Sequence, residues 1–197
     1  MKFNNPITCI NYYEEIYDAK HFIELITEES KKDWPRLGWN RSAVGGLAEK
    51  AQVSEHRSSM SMSLDPLIDP ENIIDDLKDI QNIFLPIWRE IDKLVWDYRH
   101  MYSLHLEQNE GLSLLKYSNG AEYHLHSDAG TEINRQLSLV AYINDDYDGG
   151  ELEFPNFKFK IKPSAGSVIL FPSSYAYSHM AHPVTKGTKY SIVTWFR

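Results

Sequence analysis

Cysteine is almost missing from this chain, with Cys9 the single example in 197 residues. One thiol excludes an intramolecular disulfide and a thiolate metal cluster, and fits a reducing, cytoplasmic compartment. Long apolar runs are missing as well. No stretch approaches the roughly 18 consecutive apolar residues of a transmembrane helix, and the opening MKFNNPITCINYYEEI lacks the apolar core of a signal peptide. Positive charge is scarce: 20 Lys and Arg stand against 28 Asp and Glu, for a net charge of −8. Nucleic acid and anionic membrane both favour a basic face, so neither is expected as a partner. No internal repeat or low-complexity segment interrupts the chain.

What is present suits one folded unit, 1–197, since 42% of residues are hydrophobic and 13% aromatic. Two halves differ in pattern. Residues 1–100 carry helical signals and read as scaffold and substrate loops. Ile16, Ala19, Phe22, Ile23 and Ile26 form one helix face, and Trp34 to Val53 reads as loop. Asp69-Pro70 is a helix start, followed by Ile73, Ile74, Leu77, Ile80, Ile83 and Phe84 at helical spacing. Pro86 is expected to break or kink that run before a second helical stretch from Ile87 to Trp96.

Residues 101–197 alternate with period two between turns such as Tyr117-Ser-Asn-Gly120 and Asn144-Asp-Asp-Tyr-Asp-Gly-Gly150. Leu137 to Ile143 is a near-continuous apolar strand. Short strands divided by turns predict a sandwich, barrel or jelly roll.

The local feature with chemistry is His126-Ser127-Asp128. Residues two apart on a strand share a face, so imidazole and carboxylate can converge on one ion. His179, fifty-one residues beyond Asp128, is the candidate third ligand. Two histidines and a carboxylate leave open positions that suit non-haem Fe(II). An H-x-D pair alone is common, and His182 competes with His179. His124 is expected on the same strand face as His126, near the site entrance. The histidines at 21, 56, 100 and 105 read as ordinary scaffold residues.

The surrounding spacing adds more. Tyr117-x-x-Gly120-x-x-Tyr123-x-x-His126-x-Asp128 and His179-Met-Ala-His-Pro183-Val-Thr-Lys-Gly187-Thr-Lys189-Tyr190 resemble the prolyl 4-hydroxylase family of Fe(II)/2-oxoglutarate dioxygenases. So do Arg135-Gln-Leu-Ser-Leu-Val-Ala-Tyr142-Ile-Asn144, Gly149-Gly-Glu-Leu-Glu-Phe154 and Pro163-x-x-Gly166-x-x-Ile169-x-Phe171-Pro. The likeness is detailed from about Leu112 to Phe196. Upstream it is looser, with Arg57-Ser58-Ser59 resembling the family's Arg-x-Ser segment.

The resemblance implies an α+β fold: a double-stranded β-helix (jelly-roll, cupin-like) core with N-terminal flanking helices. It implies Fe(II) on His126, Asp128 and His179, with 2-oxoglutarate and dioxygen as co-substrates and ascorbate as a further candidate cofactor. Lys189 would bind the distal carboxylate of 2-oxoglutarate, with Tyr142 and Tyr117 beside it. Tyr123, Arg135 and Trp195 resemble residues near the substrate. Asp128 separates the chain from halogenating relatives, which lack this carboxylate. The implied reaction is hydroxylation of an unactivated C–H bond in a prolyl residue of a peptide or protein. Alternatives are the same chemistry on a free amino acid, another side chain or a small metabolite, and, in another class, a non-catalytic cupin-like binding module.

Overall fold

The computed structural model describes residues 1–29, 38–44, 52–68, 75–130 and 134–197. The chain begins with strands β1 (Lys2–Ile7) and β2 (Ile10–Glu14) and helix α1 (Lys20–Glu29). Short strands β3 (Asn40–Arg41), β4 (Ala43–Val44), β5 (Gln52–Val53) and β6 (Met60–Ser63) follow, then helices α2 (Asp65–Ile68) and α3 (Lys78–Met101). The second half supplies β7 (Ser113–Tyr117), β8 (Tyr123–His126), β9 (Leu137–Tyr142), β10 (Asp148–Gly149) and β11 (Leu152–Phe154). It closes with β12 (Phe159–Ile161), β13 (Val168–Pro172), β14 (His179–Ala181), β15 (Val184–Lys186) and β16 (Lys189–Phe196).

An eight-stranded sheet runs β1-β2-β13-β9-β16-β7-β6-β3, and a four-stranded sheet runs β12-β11-β14-β8. Pairing is antiparallel throughout the described ladders. The two sheets form the double-stranded β-helix. Each central strand of the larger sheet is covered on both faces, and successive side chains point to opposite sides. On β16, Ile192 and Phe196 join the core beneath the helices, whereas Lys189, Ser191, Val193 and Trp195 line an internal cavity. On β9, Leu137 and Ala141 face the helices and Val140 and Tyr142 the cavity. That two-sided burial is why Leu137–Ile143 is almost wholly apolar. The helices cover the outer face, with the Phe22 and Phe84 rings stacked at 5.0 Å between α1 and α3.

The first half is less helical than its periodicity suggests. β2 pairs with β13 (Tyr12↔Ile169), and β6 pairs with β7 (Met62↔Leu114), so both extend the large sheet. These strands are buried by partners distant in sequence, and a local apolar period does not reveal them. Helix α1 starts at Lys20 rather than Ile16, because the Ile16 amide donates to Gly166 O at 2.9 Å and the Lys20 amide to Asp18 Oδ1 at 3.0 Å. Asp69-Pro70, Ile73 and Ile74 lie outside the described residues, as do 34–37 and 45–51 of the expected loop.

Pro86 does not divide the helix. α3 is continuous from Lys78 to Met101 with Pro86 inside it. Pro86 and Asn82 are both exposed, so water can take the carbonyl that proline leaves without a donor. Phe84, Ile87 and Ile91 on the buried face hold the helix together across that point. Among the described residues, no helix is long and apolar enough to cross a membrane.

Pro86→Ala restores the missing hydrogen bond. Proline costs about 3 kcal/mol relative to alanine inside a helix, partly offset by the stiffer unfolded chain. The variant is therefore expected to gain about 1–2 kcal/mol in urea unfolding. A loss of stability would show instead that core packing around Phe84 needs the proline.

Candidate metal centre and cavity

β14 and β8 carry the two histidines to one place. His179 pairs directly with His126, yet Ala181 pairs with Tyr123, so three residue steps on β8 match two on β14. The extra residue is a β-bulge, which re-aims the side chains on its strand. Tyr123 and His126 thereby stack face to face at 3.5 Å between centroids. His124 and Leu125 are exposed instead. His124 is thus not on the cavity side with His126, because the bulge breaks the simple alternation.

Asp128 lies just beyond the end of β8. Its Oδ1 is 3.5 Å from His126 Nε2 and its Oδ2 is 3.7 Å from His179 Nε2. One ligating atom from each of the three residues falls within 4.8 Å of the others. His182 does not join them: its Nε2 lies 2.5 Å from Glu153 Oε2, elsewhere on the small sheet.

Both imidazoles are oriented through their second nitrogen. His126 Nδ1 lies 2.7 Å from His124 O, and His179 Nδ1 lies 3.1 Å from Tyr177 O. A carbonyl accepts only an N–H, so each ring keeps its proton on Nδ1 and offers the Nε2 lone pair inward. Burial pushes His179 down to about 4, with Asp128 only partly opposing it, so the ring is neutral at physiological pH. Burial alone would raise the Asp128 carboxyl. The His179 and His126 rings and the Ser138 hydroxyl outweigh burial and hold it well below the usual carboxylate range. Ser138 Oγ donates to Asp128 Oδ2 at 2.6 Å, and the Ser173 hydroxyl lies 2.8 Å behind it.

Two imidazole nitrogens and one carboxylate are a donor set that fits Fe(II). The cavity is lined by all three residues together with Tyr117, Tyr123, Tyr142, Lys189, Trp195 and Arg57. Lys189 is buried in the same lining. Its Nζ donates to Gly150 O at 2.6 Å and sits 5.3 and 5.2 Å from the Tyr117 and Tyr142 ring centroids. Gly150 has a φ of +67°, and a Cβ there would come within 3.2 Å of the lysine stem. Burial lowers Lys189 to about 7, against the opposing pull of the Glu151 charge.

Residues 112–197 match the model of the 2OG-Fe(II) oxygenase superfamily. A PKHD-type hydroxylase of Synechococcus sp. (strain JA-2-3B'a(2-13)) is 33% identical over 89 residues, 40% of this chain and 39% of the relative. The chain spans less than half the length of the curated relatives it matches. A Pseudomonas putida prolyl-4-hydroxylase superposes with a TM-score of 0.68 at 21% identity, covering 96% of this chain and 92% of that one. A Trichoplax adhaerens prolyl hydroxylase, solved with a hypoxia inducible factor oxygen degradation domain peptide fragment, gives 0.72 at 15% identity, covering 95% and 83%. At those identities the two structures speak for the oxygenase fold.

The expected substrate-side residues separate. Tyr123 and Trp195 line the cavity, but Arg135 does not. Its Nε and NH2 donate to Glu110 Oε2 at 2.8 and 2.6 Å, its NH1 donates to Asp128 O at 3.3 Å, and its guanidinium lies 4.0 Å from the Trp195 ring centroid. Its donors are thus engaged inside the protein. Arg57 and Ser138 were missed as site residues. Arg57 reaches the cavity through a bridge to Tyr123 that joins distant parts of the chain. Ser138 carried a usable signal, because a hydroxyl on a doubly buried apolar strand needs a partner.

Ser138→Ala removes the hydrogen bond that orients Asp128. Loss of such a supporting contact typically costs about 10- to 100-fold in metal affinity. Calorimetric titration with Co(II) is expected to show that loss in a variant with an unchanged circular dichroism spectrum.

Proposed function

We propose that this chain hydroxylates an unactivated C–H bond in an Fe(II)- and 2-oxoglutarate-dependent reaction, and that the acceptor is a prolyl residue of a peptide or protein. The observation that carries the proposal is the opening of the His126–Asp128–His179 trio and buried Lys189 onto one cavity. The trio would hold Fe(II), which with 2-oxoglutarate and dioxygen supplies the oxidising power for such a bond. The PKHD-type and prolyl hydroxylases with which the chain shares sequence or fold support the substrate class.

The chain's own groups have definite tasks in this reading. Asp128, anionic and held by Ser138, neutralises part of the metal's charge. His179 stays neutral because burial opposes its charge, and the carbonyls at the Nδ1 atoms of His126 and His179 hold both imidazoles in orientation. Lys189 meets the distal carboxylate of 2-oxoglutarate, with Tyr142 and Tyr117 packed against its ammonium. Leu115, Val140 and Val193 make the wall between them apolar and exclude water. Tyr123 and Trp195 offer flat faces for a prolyl ring. Arg135 would serve by bracing Trp195 and the Asp128 backbone, not by touching substrate.

Reading 1–197 as one domain belongs to the same proposal, supported by the strands that both halves contribute to the large sheet. A cytoplasmic compartment is also part of it, supported by the single cysteine.

The test is a proline-containing peptide library incubated with Fe(II), 2-oxoglutarate and ascorbate, read by mass spectrometry. One added oxygen on proline, with succinate release lost in His179→Ala, is the expected result. Oxidation confined to other residues would sink the prolyl assignment, and no iron-dependent succinate at all would sink the enzyme.

Lys189 predicts a pH dependence. Its pKa is lowered to about 7, so the ammonium is preformed below that value and must be regenerated above it. The KM for 2-oxoglutarate is expected to be flat below pH 7 and to rise by up to about tenfold per unit above it, since one proton is taken up with the carboxylate. Lys189→Met is expected to cost about 2–5 kcal/mol in co-substrate binding, measured by titration, and to abolish that slope.

A further inference from the structure

The bulge that aims His126 inward turns His124 outward, where it meets His56. Their Nδ1 atoms are 3.2 Å apart, with the rings edge to face. The meeting is built into the backbone. The His124 amide donates to His56 O at 2.9 Å, Arg57 and Tyr123 form a bridge, and the Ser58 amide donates to Glu122 O at 3.1 Å. The Glu122 amide in turn donates to Ser58 Oγ at 2.9 Å. At the other end, the His56 amide bonds Ser54 Oγ at 3.1 Å, closing a tight turn. Arg57 and Tyr123 line the cavity, while both histidines are exposed on its outer side.

Glu122 supplies a further element. Its Oε1 lies 3.3 Å from His124 Nε2. A carboxylate on one imidazole nitrogen favours the proton there and leaves the lone pair on the other, the arrangement that supports metal-ligating histidines. For His124 the lone pair is then on Nδ1, which in the metal-free chain accepts a hydrogen bond from His56 Nδ1 at 3.2 Å. Two imidazole nitrogens about 3 Å apart suit adjacent positions on one ion with bonds of about 2.1 Å.

We propose that His56 and His124 form a second, surface metal site for a nitrogen-preferring divalent cation such as Zn(II), Ni(II) or Cu(II), oriented by Glu122 and completed by water. Imidazole pairs favour these ions over Mg(II) or Ca(II), which take oxygen ligands. An ion there ties the 54–58 segment to β8 directly behind Arg57 and Tyr123. Its occupancy therefore stiffens the wall of the cavity without entering it. The site needs no reorganisation of backbone, because the ladder already holds the two segments that carry His56 and His124 side by side.

Calorimetric titration of the full chain with Zn(II) tests this, whatever the activity of the enzyme. Two equivalents are expected for the wild type, one on the His126–Asp128–His179 trio and one on the surface pair. His56→Ala and His124→Ala should each bind one, and His179→Ala should retain the surface equivalent. Mg(II) should displace none of it. His56→Ala removes an exposed side chain, so its fold is expected to survive, and its thermal denaturation in the absence of metal should match the wild type. One equivalent in both wild type and His56→Ala, or two in His56→Ala, overturns the proposal. Failure of the hydroxylase reading would appear instead as absent succinate with the two-equivalent titration intact.

Discussion

The site depends on one irregular strand pairing. β14 and β8 are in register at His179 and His126, and the extra residue on β8 breaks that register before Tyr123. Without it, His126 and Tyr123 would fall on opposite faces of the strand. With it, Tyr123 backs the His126 ring from inside the cavity, and His124 and Leu125 are turned out. The same displacement orients His126, because the His124 carbonyl that accepts from its Nδ1 belongs to the bulged stretch. Register, ring orientation and the direction of the lone pair therefore have a common origin.

Around this pairing the protein sets opposite charges at different points of one buried cavity. Asp128 keeps its charge because two imidazoles and a hydroxyl face it, although burial opposes that. Lys189 has a carbonyl and two aromatic faces but, among the described residues, no carboxylate in direct contact, and burial weakens its proton affinity accordingly. A buried cation without a counter-charge is costly, and an anionic ligand relieves that cost. The helical layer contributes by keeping the large sheet buried on its outer face, so the cavity-facing side chains rest on a close-packed support.

The Glu110–Arg135 contact shows how a residue type can mislead about a role. An arginine near the metal end of a cavity suggests an anion or carbonyl of the substrate. Here Glu110, buried beside it, takes two of its donor nitrogens, and Trp195 covers its face. Arg197 Nε lies 3.2 Å from the other Glu110 oxygen, so the carboxylate sits between two guanidiniums. What Arg135 contributes is the position of Trp195 and of the Asp128 backbone.

The jelly-roll half was legible in the sequence because its strands alternate with period two and its turns are marked by Asn, Asp and Gly, all local signals. Spacing alone offered His126 and Asp128, two apart; His179 and Lys189, ten apart near the end of the chain, were legible through the resemblance of their segment to a known family. Only tertiary structure decided the rest. The strand character of 10–14 and 60–63, the continuity of α3 through Pro86, the side to which His124 points and the engagement of Arg135 all come from partners far along the chain. A local pattern records which face of an element is apolar. It does not record which distant strand, carbonyl or carboxylate will occupy that face, and those contacts fix register, bulge and side-chain direction.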